Sequence, residues 1–123
     1  MTIVIDASVI VAALVDTGRD GSWAEALIAS ETLVAPELAM VEATNILRRL
    51  DIAKELTTVE SGLALIDFLR LYIQLFPFHT FAERVWALRK NFPSYDPWYV
   101  ALAEALDCSL ATLDIKLKNA GST

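Results

Sequence analysis

The sequence has few of the residues on which several classes of protein depend. Cys108 is the only cysteine, so no intrachain disulfide can form and a reducing, cytoplasmic environment is favoured. A histidine-rich zinc site is excluded because His79 is the only histidine; we expect it to be an ordinary residue near the start of a helix. No uninterrupted apolar run approaches the ~20 residues that span a bilayer, and no basic segment precedes the first apolar run. We therefore expect neither a membrane anchor nor a signal peptide.

The composition is apolar and acidic. The 123 residues predict a single domain, 1–123, and their mean hydropathy of +0.46 implies surplus apolar surface for a subunit or partner interface. With a formal net charge of −6, the protein does not resemble a nonspecific nucleic-acid binder, which normally has a basic surface. It is compatible with a nuclease only if several acids are gathered into a metal site and the basic residues meet phosphate elsewhere.

The first fifteen residues predict a buried strand, a sharp turn and a helix. Residues 2–5 are β-prone, Asp6 follows them, and Val9, Ala12 and Leu14 have helical spacing. Asp6 therefore lies at the carboxyl end of a strand, where open α/β sheets bind their ligands. A charge among apolar residues must cap a helix, pair with another charge or bind a cation. On this segment alone, helix capping is as good an interpretation as function.

Apolar patterning predicts alternating strands and helices along the rest of the chain. This order indicates an α/β protein with a mainly parallel sheet and helices on both faces. The expected strands are 2–5, 32–35, 73–76 and 108–112, and the expected helices are 23–30, 36–50, 57–72, 81–91, 97–106 and 113–118. The helix 57–72 is more apolar than one buried stripe requires, which indicates either contact with another chain or deep burial.

Four acids from distant segments are expected at one edge of this sheet. Asp6 and Asp114 each end a strand, Glu42 lies in the helix after the second strand, and Asp96 caps the helix before the last strand, with Pro97 at its first position. Carboxylates so close need a counter-ion to stay ionised. Oxygen ligands without cysteine or histidine select a hard cation such as Mg²⁺ or Mn²⁺.

One side of the helix 36–50 carries polar residues. Glu42, Asn45 and Arg49 recur at spacings of three and four, opposite Met40, Ala43, Leu47 and Leu50. A solvated polar face is the ordinary explanation. Arg49 is a candidate phosphate contact, with a surface salt bridge as the alternative.

Four segments together resemble the PIN-domain ribonucleases, specifically the VapC-type toxins of bacterial toxin–antitoxin pairs. The resemblance covers essentially the whole chain. It rests on residues 4–8 (VIDAS), 42–45 (EATN), 95–103 (YDPWYVALA) and 111–114 (ATLD). Each segment alone is weak, but their order and intervals are specific.

The resemblance implies a three-layer PIN-like fold with four to five short strands. It also implies that Asp6, Glu42, Asp96 and Asp114 hold Mg²⁺ or Mn²⁺ and that Ser8, Asn45 and Thr112 are orienting residues. Members of the family cleave RNA endonucleolytically, commonly tRNA or rRNA. They usually form homodimers, and a cognate VapB-like antitoxin silences them.

Two other functions remain open at this stage. The first is a non-enzymatic interaction module of the same fold. The second is a receiver-like or phosphatase-like domain in which Asp6 accepts phosphate with help from Lys116, although Asp6 has no adjacent acid.

Overall fold

The computed structural model describes residues 1–114. Within these residues the chain forms four strands and six α-helices, with a 3₁₀ turn at His79–Phe81. The strands are β1 (Thr2–Ile5), β2 (Thr32–Pro36), β3 (Gln74–Phe76) and β4 (Ser109–Ala111). The helices are α1 (Ala7–Val15), α2 (Arg19–Ser30), α3 (Leu38–Ile52), α4 (Thr58–Arg70), α5 (Ala82–Ala87) and α6 (Asp96–Leu106).

The strands form one parallel sheet in the order β3-β2-β1-β4, which confirms the expected fold class. The chain moves outward from β1 to β3 and then returns across the sheet to β4. Because crossovers between parallel strands are right-handed, this reversal puts α1–α4 on one face and α5 and α6 on the other. The contacts agree: α1 touches α2, α3 and α4, whereas α6 touches α5, β1 and β2.

The core lies around β1, the most buried strand. Val4 and Ile5 have no exposed surface, and neither do Val9 and Ile10 of α1. The carboxyl ends of β1 and β4 meet where the direction of the chain reverses. Such a switch point is where open parallel sheets form their binding crevices.

The helix α2 begins four residues earlier than the sequence predicts. Gly18 and Gly21 suggest a turn, but Gly18 is the N-cap and Gly21 is buried inside the helix. A Cβ atom at Gly21 would lie 1.8 Å from the carbonyl oxygen of Asp16. Glycine is needed here for the close approach of two backbone segments, and not for a turn.

Pro36 is the last residue of β2, and α3 begins at Leu38, so the expected helix start at Pro36 is wrong. Pro36 pairs in register with Phe76 of β3. The next residue supplies the hydrogen bond that proline cannot donate, since the N–H of Glu37 lies 3.0 Å from the carbonyl oxygen of Phe76.

The last two helices also differ in detail from the prediction. The helix α5 ends at Ala87 instead of 91. Asp96 is the first residue of α6, after the N-cap Tyr95, and it makes no capping hydrogen bond. The apolar pattern predicts a buried side of Val100, Leu102, Ala103 and Leu106. Of these Leu102 is buried and Ala103 packs against the core in part, whereas Leu106 is exposed, and the other buried residues are Pro97, Tyr99 and Ala101.

The apolar surplus of α4 is at the surface. Only Ala64 and Phe68 of this helix are buried, while Val59, Leu63 and Leu69 are 56–70% exposed. The interpretation that α4 is deeply buried is therefore wrong for the isolated chain. Across residues 1–114 none of the helices combines the length and apolar character needed to cross a bilayer. The helix predicted at 113–118 lies mostly outside the described residues, and so does any fifth strand of the predicted four to five.

Candidate active site

Asp6 lies at the carboxyl end of β1, beside the end of β4. Ile5 pairs with Ala111, so the next residues, Asp6 and Thr112, meet just beyond the sheet. Both are only 5% exposed. The hydroxyl of Thr112 donates a hydrogen bond to Oδ2 of Asp6, which joins residues 106 positions apart. The expected pairing of the two strand ends is confirmed.

The carboxylate of Asp6 is held on both oxygens. Its Oδ1 accepts hydrogen bonds from the Ser8 hydroxyl at 2.5 Å and from the backbone N–H of Val9 at 3.2 Å. The bond from Val9 is the N-cap of α1, so the capping interpretation is correct. The cap involves only Oδ1, and the same carboxylate also lines the crevice. Burial raises the pKa of Asp6, and these hydrogen bonds offset part of the rise.

Ser8 and Thr112 also position the segment that carries Asp114. The Ser8 hydroxyl accepts a hydrogen bond from the backbone N–H of Leu113 at 2.9 Å. The Thr112 hydroxyl accepts one from the N–H of Asp114, also at 2.9 Å. Each hydroxyl therefore bonds Asp6 on one side and the chain after β4 on the other. This geometry agrees with the orienting role that the resemblance implies for both residues.

Glu42 is oriented by a residue that the sequence does not single out, Tyr99. The Tyr99 hydroxyl donates a hydrogen bond to Oε1 of Glu42 at 2.5 Å, and Tyr99 is 2% exposed. Burial and the bond to Glu42 both raise the pKa of Tyr99, so it stays protonated and able to donate. The available signal is spacing: Tyr99 lies three residues after Asp96 and so shares its helical face.

The acids act on one another electrostatically. Burial, and then the negative charges of Asp114, Glu42 and Asp6, raise the pKa of Asp96 to about 6. The pKa of Glu42 is also raised, mainly by burial and further by Asp6 and Asp114, against the lowering effect of the bond from Tyr99. This coupling supports the predicted meeting of four acids from distant segments in one crevice, which stays a prediction.

The charges of Asp6 and Asp114 act on Glu42 and Asp96, but the four carboxylates do not form a ready-made metal site. In the described part of the chain, no three Asp, Glu, His or Cys side chains stand at the spacing of a ready-made ion site. Carboxylates without a counter-ion repel one another. The donor set nevertheless fits a hard divalent cation, because it consists of oxygen ligands and a positive charge would lower the raised pKa values of Glu42 and Asp96.

The other predicted residues lie farther out. Asn45 and Arg49 are exposed on α3, and within residues 1–114 Arg49 forms no ion pair, so the salt bridge suggested as its alternative is not found there. A phosphate contact by Arg49 stays a prediction. His79 begins the 3₁₀ turn and is exposed, as expected.

Sequence comparison gives a family and several relatives. A sequence model of the PIN domain matches residues 3–122. A VapC ribonuclease of Mycobacterium bovis and ribonuclease VapC9 of Mycobacterium tuberculosis are each 41% identical to this chain, over 97% of its length and 91% of theirs. Ribonuclease VapC1 of Mycobacterium tuberculosis is 34% identical, over 93% of this chain and 86% of its own.

Two solved structures share the fold. The crystal structure of VapC20 of Mycobacterium tuberculosis, described as a Sarcin-Ricin loop cleaving toxin, matches with a TM-score of 0.72 and 16% identity, over 97% of this chain and 95% of that one. VapBC2 of Rickettsia felis, bound to a DNA fragment from its promoter, matches with a TM-score of 0.62 and 17% identity, over 97% and 92%.

Proposed function

Because the chain belongs to the PIN-domain family, and within it to the VapC ribonucleases, we propose that it is an endoribonuclease and the toxin of a toxin–antitoxin pair. The observation that carries the proposal is the crevice at the ends of β1 and β4. There burial, and then the negative charges of Asp6 and Asp114, raise the pKa of both Glu42 and Asp96.

A divalent cation, Mg²⁺ or Mn²⁺, is the proposed cofactor. Asp6, Glu42, Asp96 and Asp114 would hold it, as one ion or two. When bound, such an ion lowers the pKa of a water and stabilises the charge that develops on the phosphodiester. The proposed reaction is in-line hydrolysis of an RNA phosphodiester, leaving 5′-phosphate and 3′-hydroxyl ends.

The surrounding residues fix the carboxylates in place before any substrate arrives. Ser8, Thr112 and the N–H of Val9 prevent rotation of the Asp6 carboxylate. Tyr99 fixes one oxygen of Glu42 and leaves the other for a further partner. Arg49, exposed on the helix of Glu42, is the proposed contact to an RNA phosphate.

The proposed partners are an RNA, a VapB-like antitoxin and a second copy of the chain, in the cytoplasm. A structured RNA such as tRNA or rRNA is the proposed substrate class. Support for a protein partner comes from the exposed apolar side of α4, because an isolated soluble domain rarely leaves such a surface uncovered.

The rival functions make different use of Asp6. A receiver-like phosphate acceptor has a second acid next to it in the sequence, whereas Ile5 and Ala7 flank Asp6. This observation disfavours a receiver-like domain, for which Lys116 lies outside the described residues. A non-enzymatic module predicts no effect of Mg²⁺ on the melting temperature, whereas four coupled carboxylates predict a rise.

The test replaces Asp6 with Asn and measures cleavage of a purified structured RNA with and without Mg²⁺. We expect the cleavage rate of Asp6→Asn to fall by more than about 100-fold. Even the loss of a residue that only hydrogen-bonds to a metal ligand commonly lowers activity by about 10–100-fold, and Asp6 is a proposed ligand itself. The fold should survive because asparagine caps helices as well as aspartate does. Asp67→Asn, at an exposed position of α4, is the matched control and should cleave normally. Undiminished cleavage by Asp6→Asn contradicts the proposal.

A further inference from the structure

A segment with basic and aromatic residues directly precedes Asp96 in a protein whose net charge is negative. The twelve residues from Arg84 to Tyr95 contain three basic side chains and no acidic one, although the whole chain carries a net charge of −6. The segment runs from α5 to the start of α6. Arg84 forms an ion pair with Glu104 of α6, with its Nε 2.9 Å from Oε2, so the positive charge of the segment comes mainly from Arg89 and Lys90.

Aromatic side chains in this region are exposed and held in place. Trp86 is 67% exposed and Phe78 is 46% exposed. The guanidinium of Arg89 lies over the Trp86 ring, 4.2 Å from its centroid, and also donates a hydrogen bond to the Trp86 carbonyl oxygen at 2.8 Å. Phe78 packs edge-on against Trp98, with ring centroids 5.2 Å apart and an interplanar angle of 79°. These side chains are thus presented to solvent with their orientation already restricted.

The same side chains line a cavity of about 290 Å³, which we call the aromatic groove. Phe78, Trp86, Arg89, Phe92, Pro93 and Pro97 are among its lining residues. This volume is at the lower end of the range for small-molecule sites, so it suits one planar group and not a large ligand. Pro97, which lines the groove, directly follows Asp96 in α6, so the first turn of one helix carries a residue of each site.

We propose that the aromatic groove binds an unpaired base of the RNA substrate, adjacent to the phosphodiester that is cleaved. The inference rests on the proposed ribonuclease function and adds to it the site that reads the single-stranded RNA. Proteins recognise unpaired RNA by stacking splayed bases on aromatic rings and arginine planes. The Trp86–Arg89 pair offers both kinds of surface.

Charge complementarity favours RNA over other occupants. Arg89 and Lys90 are exposed and lie at the groove or next to it, where they can meet the phosphates that flank a bound base. Because the net charge of the whole chain is negative, RNA binding depends on local basic side chains such as these and the proposed phosphate contact Arg49. An apolar protein partner would leave the positive charges of Arg89 and Lys90 without a negative counterpart.

The test measures RNA binding and cleavage separately. Binding is followed with short single-stranded oligouridylate and oligoadenylate in a chelator, so that no metal-dependent cleavage interferes. We expect Trp86→Ala and Arg89→Ala each to weaken binding by about tenfold, within the range of stacking energies for one base. Trp23→Ala, at an exposed tryptophan of α2 on the opposite helical layer, is the matched control and should bind like the wild type.

An abasic substitution identifies the contact. In a cleaved RNA, removal of the base beside the scissile bond should raise the KM of the wild type and leave that of Trp86→Ala unchanged. If Trp86→Ala binds all oligonucleotides normally, or if its defect persists with the abasic RNA, the inference is overturned. A change in self-association, with RNA binding intact, would instead make the groove a protein interface and also overturn it. If the wild type binds RNA through the groove but never cleaves it, only the ribonuclease proposal fails.

Discussion

Asp6 combines a structural and a proposed chemical task in one side chain. Its Oδ1 caps α1 and its Oδ2 is bonded to Thr112 from the opposite end of the sequence. The hydrogen bonds offset the cost of burying the charge, and their geometry keeps the carboxylate at the edge of the crevice. At this scale the candidate site consists of acids whose orientation depends on neutral partners, Ser8, Thr112 and Tyr99.

Tyr99→Phe tests the orientation of Glu42. The substitution removes one hydroxyl and keeps the buried ring, so Glu42 loses the donor to its Oε1. We expect kcat to fall by about 10-fold with little change in KM, as is typical when a partner of a metal ligand is lost. The Mg²⁺ concentration needed for half-maximal thermal stabilisation should rise in parallel.

The matched control for this variant is Tyr72→Phe, at a tyrosine that is 89% exposed. Its kinetics and Mg²⁺ response should equal those of the wild type. If Tyr99→Phe lowers the melting temperature but leaves kcat and the Mg²⁺ response unchanged, the hydroxyl has a structural role only.

At the scale of elements, the sequence predicts those features that depend on neighbouring residues or on the parallel arrangement of the strands. The start of α4 follows from Thr57 and Glu60, which form a reciprocal capping box. The meeting of Asp6 with the end of β4 follows from the parallel arrangement of their strands. The start of α2 and the bond between Tyr99 and Glu42 could not be predicted, because each depends on how one element approaches another in space.

Replacement by alanine should have opposite effects on stability at two helical glycines, Gly21 and Gly62. Gly21→Ala places a methyl group against the Asp16 backbone and must force α1 and α2 apart, so we expect a loss of about 1–3 kcal/mol in the free energy of unfolding. At Gly62, inside α4, a Cβ meets nothing within 4 Å, so Gly62→Ala should stabilise by about 0.5–1 kcal/mol through higher helix propensity. Chemical denaturation measures both. Equal effects of the two variants would show that the α1–α2 contact is not tight.

At the scale of the whole molecule, the acidic crevice should make stability depend on pH. The folded pKa of Asp96 is about 6 against an ordinary 3.8, and those of Asp6 and Glu42 are also raised. The folded state therefore binds protons more tightly than the unfolded state. This contribution to stability is complete below the ordinary pKa and is lost as the pH rises through the folded one.

In a chelator, we therefore expect the melting temperature to rise as the pH is lowered from about 7 to about 5. The rise should be smaller in Asp96→Asn, which lacks the titrating group; this comparison removes the general effect of the net negative charge. Mg²⁺ should stabilise the wild type more at the higher pH, since protons compete with the ion for the same oxygens. A melting temperature that falls with acidification in this range, or identical pH profiles for both proteins, would contradict the coupling of these acids.

The distance along the chain between Asp6 and Thr112 has a consequence for biosynthesis. β1 is translated first, but its neighbour β4, and with it Thr112 and Asp114, comes more than a hundred residues later. A nascent chain emerging from the ribosome thus carries an incomplete crevice until residue 114 has left the exit tunnel. Until β4 has paired with β1, the nascent chain lacks Thr112 and Asp114 at the crevice, so we expect the proposed nuclease activity to appear only after this last strand has folded.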